Sequence, residues 1–312
     1  MIVVTDRGAD LSPQQMAGLE IHFTPLTITL DGRSYISGVD IQPEEFYALL
    51  SATESMPTTS LPSPGEFVAI YRELAKRDPE ILSVHISSGL SGTYNTALEA
   101  AKMVPEVHVT VMDTFTLSGA EGWQVEAAAR AVKAGWPVDQ IRVLLAQVKA
   151  ATETIFTLPD LKYLIHGGRI SHIKGLLASI LNIKPIIGVS RQDGKYYQRG
   201  QARSFSGALA KLVSVAANDH APGTRLRVQV MHTNNPEGAE QIRKLLAAEF
   251  ECEWLPTTSV APVLGAHTGA GLVGIAYECQ QVDTLPHDPW DMPLDAVLTE
   301  RQLYRFNSDT PR

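Results

Sequence analysis

Apolar positions along this chain fall into short runs separated by helical patterns, and the two periods alternate through the first half. "MIVVT", residues 1–5, is a continuous apolar run of strand length. In "SPQQMAGLEI", Ser12, Pro13 and Gln15 stand where an N-cap, an N1 proline and an N3 glutamine make a capping box. "FTPLTITL" reads as strand, and Asp31-Gly32 marks a turn. "QPEEFYALLSA" predicts a helix with Phe46, Leu49 and Leu50 on one face. "SPGEFVAIYRELAKR" repeats the cap chemistry with Ser63, Pro64 and Glu66. "ILSVHIS" (81–87) predicts a strand, and "GTYNTALEAAKMV" a helix in which Tyr94, Ala97, Ala101 and Val104 recur at helical spacing. "VHVTVMD" (107–113) is again strand-like and "GAEGWQVEAAARAVKAG" helical. Strand and helix in turn predict a parallel sheet with helices on both faces.

The second half has a different rhythm. "PVDQIRVLLAQVKAATE" is helical, and "IFTLPDLKYLIHGG" leads into "RISHIKGLLASILNI". "KPIIGVSRQDGKYYQRGQAR" predicts a hairpin turning at Asp193-Gly194. A helix over "SFSGALAKLVSVAAN", a strand over "TRLRVQVMHT", a helix with Asn235 or Asn234 near its cap and a strand over "GLVGIAYE" (271–278) follow. The expected fold class is α/β in two domains. Residues 1–154 form a three-layer domain with a parallel sheet, and 155–281 form an α+β domain. Residues 282–312, which hold "LPHDPWDMPLD", read as an irregular tail or a short terminal helix, with Trp290 as the candidate docking side chain.

Bulk properties narrow the function. The chain has 312 residues, 44% hydrophobic and 19% charged, and a formal net charge of -8. No Lys/Arg-rich run is present, which argues against a nucleic-acid partner. Cys252 and Cys279 match no metal spacing and make no disulfide framework, so a cytoplasmic protein is expected. Asp6 interrupts the first apolar run and no basic segment precedes it, so no signal peptide is expected. No stretch reaches the ~18 apolar residues of a membrane span.

Four stretches carry candidate chemistry. In "HISSGLSGTYNTALEAA" a strand gives way to glycine turns and a helix, with Ser91 at the junction. Ser91 either caps that helix or, with the backbone N–H groups beside it, holds an anion. Gly89-Leu90-Ser91-Gly92-Thr93 lacks the last glycine of a nucleophile elbow. In "PTTSLPSPGEF", Ser63 is used as a cap, leaving Thr59 and Ser60 as loop residues that face either solvent or a cleft. In "LKYLIHGGRISHIKGLLASILNIKPIIGV", Gly167-Gly168 forces an unusual backbone before Arg169. The apolar helix after it, with Leu176, Leu177, Ile180 and Leu181, is either core or the wall of a cavity with Arg169 or Lys174 at its mouth. In "GAHTGAGLVGIAY", Gly269, Gly271 and Gly274 match Gly-x-Gly-x-x-Gly, but they precede a strand and not a βαβ unit, so no dinucleotide site is expected. His267, between glycines, is an accessible candidate.

These stretches together resemble the DegV family of bacterial lipid-binding proteins over about residues 1–280. The pattern "TS-x-PS-x-x-F" stands here as Thr59 to Phe67, "SS-x-LSGTY" as Ser87 to Tyr94, "YL-x-x-GGRIS" as Tyr163 to Ser171, and "H-x-G-x-G" as His267 to Gly271. The opening departs from the family's Asp-Ser-Thr-Ala-Asp, reading Asp6-Arg7-Gly8-Ala9-Asp10. The resemblance implies a long-chain fatty acid held between two domains, its carboxylate meeting Thr59 and Ser91 with His267 nearby. Ser60, Gly92 and Arg169 are secondary candidates. It implies no cofactor, no metal and no catalysis, and a monomer. Some family members present the acid to a separate fatty-acid kinase that makes an acyl phosphate for phospholipid synthesis, and Arg203 stands at the position that meets that kinase. The rival expectations are a serine hydrolase built from Ser91, His267 and Asp113, and a binding protein for a different small acid.

Overall fold

The computed structural model describes residues 1–172 and 183–279, and beyond them only the short strands 296–298 and 303–305. The first half runs β1 (Ile2–Asp6), α1 (Pro13–Met16), β2 (Ile21–Thr24), β3 (Thr27–Leu30), β4 (Arg33–Ile36), α2 (Pro43–Ala52), β5 (Thr58–Ser60) and α3 (Pro64–Ala75). It continues with β6 (Glu80–His85), α4 (Thr93–Lys102), β7 (His108–Asp113), α5 (Ser118–Lys133) and α6 (Val138–Ala151). The second half runs β8 (Thr152–Thr157), α7 (Lys162–His166), a 3-10 turn (Arg169–His172), β9 (Lys184–Val189), β10 (Tyr196–Ala202) and α8 (Phe205–Asp219). It closes with β11 (Arg225–His232), α9 (Pro236–Glu249), β12 (Glu251–Trp254), β13 (Thr258–Ser259), α10 (Pro262–Thr268) and β14 (Val273–Cys279).

The expected parallel sheet is present in the order β2-β1-β6-β7, every pairing parallel. Side chains alternate across it. Ile2 and Val4 pack with Phe67 and Tyr71 of α3 and Ala97 and Ala100 of α4. Val3, Leu82 and Val84 pack on the opposite face with Val125 and Ala128 of α5 and Ile141 and Leu145 of α6. The second sheet is mixed, in the order β10-β9-β8-β14-β11-β12, with β13 also paired to β11. Its outer face packs on α8 and α9 through Leu209, Leu212, Ile242 and Leu246. Helix α5 lies between the two sheets. It touches β1 and β6 on one side and β8, β11 and β14 on the other, and Trp123 Nε1 donates to Gln229 Oε1 at 2.6 Å. That position explains why twelve of its sixteen residues are buried although many are Ala, Gly or polar.

Several sequence expectations change. "PTTS" is not loop: Thr58–Ser60 is strand β5, antiparallel to β3, with Ile28 opposite Thr59 in a small sheet ordered β4-β3-β5. "FTPLTITL" is two strands, β2 ending at Thr24 and β3 beginning at Thr27 around Pro25, which cannot donate to a ladder. On α2 the buried face is Phe46, Tyr47 and Leu50, while Leu49 is exposed. Tyr47 is drawn inward because its hydroxyl donates to Val260 O at 2.9 Å. On α4 the buried alanines are Ala97 and Ala100. Both capping boxes form, at Ser12–Gln15 and Ser63–Glu66, although α1 spans only four residues. The apolar helix read over Leu176, Leu177, Ile180 and Leu181, with Lys174, lies outside the described residues, as does Trp290.

Residues 1–280 make one compact unit and 281–312 another. Of the second, the described residues are β15 (Ala296–Leu298) and β16 (Leu303–Arg305), paired antiparallel. No described helix is long and apolar enough to cross a membrane.

Candidate functional site

Strand β5 brings Thr59 to the inner side of the small sheet, and α10 ends at His267 and Thr268 facing it. Thr59 Oγ1 and His267 Nε2 lie 2.8 Å apart. Both line a cavity of about 70 Å³, together with Ser60, Ser91, Arg169 and Tyr196 and the apolar side chains Leu26, Ile86, Leu90, Val263 and Leu264. A second cavity, about 30 Å³, shares the walls Leu117, Tyr196 and Leu264 and continues past Phe156, Met231, Val260 and Leu272. Its lining is carbon almost throughout. The two share these three walls, so a more polar cavity, the mouth, adjoins an apolar one, the limb.

Gly167 positions His267. A Cβ there would overlap Nδ1 of the ring, so α7 and α10 close on each other only because residue 167 has no side chain. Gly168 then takes the left-handed backbone, φ +74°. The sequence expectation of an unusual turn at this pair therefore divides into two demands, one on space and one on φ. His267 Nδ1 has no hydrogen-bond partner among the described residues. Burial, reinforced by Arg169 and His166, pushes the ring pKa down to about 4. His267 is a neutral imidazole at neutral pH.

Arg169 is half-buried at the mouth. Its Nη1 donates to Gly167 O at 2.5 Å and its Nε to Leu90 O at 3.3 Å, and it makes no ion pair with a described carboxylate. Ser91 does two things. Its Oγ accepts from Thr93 N–H at 3.3 Å and lies 2.9 Å from Thr93 Oγ1, while its side chain lines the cavity. Gly92, and not Ser91, is the N-cap residue of α4, and it makes no side-chain cap. The loop after β6 is fixed from the other half of the chain. The Asp193-Gly194 hairpin tip presses on it, with Gly194 at φ +64° and Ser87 Oγ donating to Gly194 O at 2.8 Å.

Thr59, Ser60, Ser91, Arg169 and His267 thus converge on one cavity. Gly92 does not line it; a Cβ there would meet Leu61 Cδ2 at 3.1 Å. Arg203 also stands apart, exposed and unpaired among the described residues, at the end of β10 remote from Tyr196. Seven residue steps at ~3.3 Å each separate it from Tyr196 by up to roughly 23 Å. The Ser91–His267–Asp113 relay is not assembled. His267 Nε2 is engaged by Thr59, and Asp113 accepts from the backbone N–H groups of Ser88 and Phe115.

The departing opening is occupied by structure. Asp6 accepts from Gly8 N, Ile86 N and His85 Nδ1, and His85 Nε2 meets Ser83 Oγ, which meets the Tyr71 hydroxyl. This buried chain fixes Ile86, a wall of the cavity. Asp10 accepts from Ala261 N and Ser118 Oγ, and burial pushes its carboxyl up to about 7. Burial, with Asp6 and Asp10 beside it, holds Glu121 well above the usual carboxylate range. Arg7 stacks on Phe23 at 4.2 Å. Sequence reasoning missed Asp6, His85 and Tyr196; a histidine inside the apolar run "ILSVHI" was the signal for His85.

Comparison with known proteins agrees with this architecture. Residues 1–280 match the family model described as uncharacterised proteins of the DegV family. A DegV domain-containing protein of Staphylococcus aureus strain N315 is 35% identical over 274 residues, covering 88% of this chain and 97% of that protein. One from Deinococcus radiodurans is also 35% identical over 274 residues, with coverages of 88% and 94%. Among solved structures, a fatty-acid-binding DegV family protein from Thermus thermophilus superposes with a TM-score of 0.80 at 28% identity, covering 89% of this chain and 99% of that one. DegV of Bacillus subtilis, described as a fatty acid binding protein, gives a TM-score of 0.80 at 29% identity, with coverages of 89% and 99%.

Proposed function

This chain belongs to the DegV family, and from that premise we propose that it is a non-catalytic cytoplasmic carrier of one long-chain fatty acid. The observation that carries this reading is the convergence of Thr59, Ser91, Arg169 and His267 on a polar mouth that adjoins an apolar limb. A carboxylate at the mouth receives charge-assisted hydrogen bonds from the two hydroxyls. His267, kept neutral, orients Thr59 and does not compete as an ion-pair partner. The acyl chain supplies most of the affinity. About twelve buried methylenes at ~0.8 kcal/mol each contribute roughly 10 kcal/mol before ordering costs. The head group mainly selects and orients.

On this reading the acid is then presented, by a monomer, to a separate fatty-acid kinase, and Arg203 is the docking residue. What supports Arg203 is its exposure, its lack of an ion-pair partner among the described residues and its absence from the lining of either cavity.

One set of variants tests both halves. Thr59→Val and Ser91→Ala each weaken palmitate binding, by the equivalent of about 1.5–3 kcal/mol for a hydrogen bond to a charged group, and their effects are non-additive because they share one partner. Arg203→Ala leaves palmitate affinity unchanged and lowers acyl-phosphate formation with the cognate kinase. Wild-type affinity in both single variants would remove the carboxylate site; wild-type phosphorylation in Arg203→Ala would remove the docking role.

A further inference from the structure

Among the described residues four tyrosines are buried: Tyr47 at 1% exposure, Tyr71 at 0%, Tyr277 at 1% and Tyr196 at 5%. Three have hydroxyl partners: Tyr47 donates to Val260 O, Tyr71 meets Ser83 Oγ and Tyr277 donates to Asp219 Oδ2. Tyr196 has none among the described residues. Its ring is held in place, edge-on to Phe156 at 5.4 Å between centroids, and its backbone is paired to Val189 across the β9–β10 hairpin. The ring is buried, but the hydroxyl oxygen is not among the fully enclosed polar atoms, so it faces open space and is free to take a partner from outside the chain.

Tyr196 is also a wall shared by both cavities, the polar mouth and the apolar limb. The limb exposes almost no polar surface, so the phenol oxygen contributes nothing to its lining, and the other cavity that Tyr196 lines is the mouth. Arg169 lies on that side. Burial raises the phenol pKa, and the Arg169 charge pulls it back only in part, so the hydroxyl is a neutral donor at any physiological pH. Other hydroxyls along the limb are engaged: Ser118 donates to Asp10, Thr268 to Leu264 O, and Thr154 meets Thr116.

We propose that Tyr196 is a further head-group residue, whose hydroxyl donates to the carboxylate of the bound acid from the inner side of the mouth, opposite solvent. This rests on the reading that the cavity holds a long-chain acid. It assigns the carboxylate one donor from the second half of the chain in addition to Thr59 and Ser91 from the first. It also gives the site a preference for the free acid over its neutral derivatives, because a hydrogen bond to an ionised oxygen is about twice as strong as one to a neutral carbonyl.

The test is Tyr196→Phe, which removes the oxygen and keeps the ring and its contact with Phe156. Palmitate and methyl palmitate are titrated into wild type and variant, and the thermal midpoint of the ligand-free proteins is measured. The expected result is a loss of about tenfold or more in palmitate affinity, a smaller loss for the ester, and an unchanged or higher midpoint, since no protein partner is removed. Wild-type palmitate affinity in the variant overturns the proposal. So does an equal loss for acid and ester, which marks packing, or a lowered midpoint, which marks a protein partner for the hydroxyl. A wild-type protein that binds neither ligand overturns the fatty-acid reading itself, and this proposal with it.

Discussion

His267 shows how much one ring depends on its surroundings. Its Nε2 meets Thr59, its Nδ1 is buried without a partner among the described residues, and burial lowers its pKa to about 4 from an ordinary 6.5. The folded state therefore binds fewer protons than the unfolded state between those values. Its contribution to stability is fully present above about pH 6.5 and is lost as pH falls toward 4. In NMR titration of the free protein the His267 ring signals should stay constant from pH 8 to pH 5; a midpoint near 6.5 would mean the ring is solvated and not held against Thr59. At this scale the sequence was partly legible. Thr59, Ser91, Arg169 and His267 sit in distinctive local contexts of glycine, serine and threonine. Tyr196 does not, because its meaning comes from Leu117, Leu264 and Arg169, which lie far along the chain. Asp10 is similar: only its contacts with Ser118 and Ala261 show why a carboxylate is buried there.

Between elements, glycines decide how closely helices approach. Helix α7 reaches α10 across Gly167, and a methyl there would displace the His267 ring. Gly167→Ala should cost about 1–3 kcal/mol of stability, as overpacking does, and should weaken acid binding as Thr59 loses its partner. Chemical denaturation at unchanged m-value checks the first part; a stability change within about 0.5 kcal/mol would show that α7 can shift without strain. Elements with strong local signals were legible: β1 and β6 as apolar runs, α3 as a capped amphipathic helix, β9–β10 as a hairpin about Asp193-Gly194. Strand β5 was not. Three residues, Thr58–Ser60, carry no period, and they become a strand only because β3 offers an edge. Tyr47 replaces Leu49 on the buried face of α2 for a similar reason, its hydroxyl having a tertiary acceptor in Val260.

Residues 1–280 stack helices α3 and α4, the parallel sheet, α5 and α6, the mixed sheet, and α8 and α9. Alternating strand and helix signals foretold the parallel sheet. The stacking of the second sheet on α5 was not legible, since it depends on contacts such as Trp123 to Gln229, more than a hundred residues apart. The cavities lie in the core between the sheets, where apolar side chains from both halves meet Thr59 and His267. That placement suits a ligand with a charged end and a long apolar body, and native mass spectrometry of the protein purified from cells asks for such a ligand directly. The expected spectrum shows one non-covalent adduct per chain with the mass of a long-chain fatty acid, released intact on activation. A protein that stays bare after purification and after incubation with palmitate, or one that carries the acyl group covalently on Ser91, would contradict the carrier.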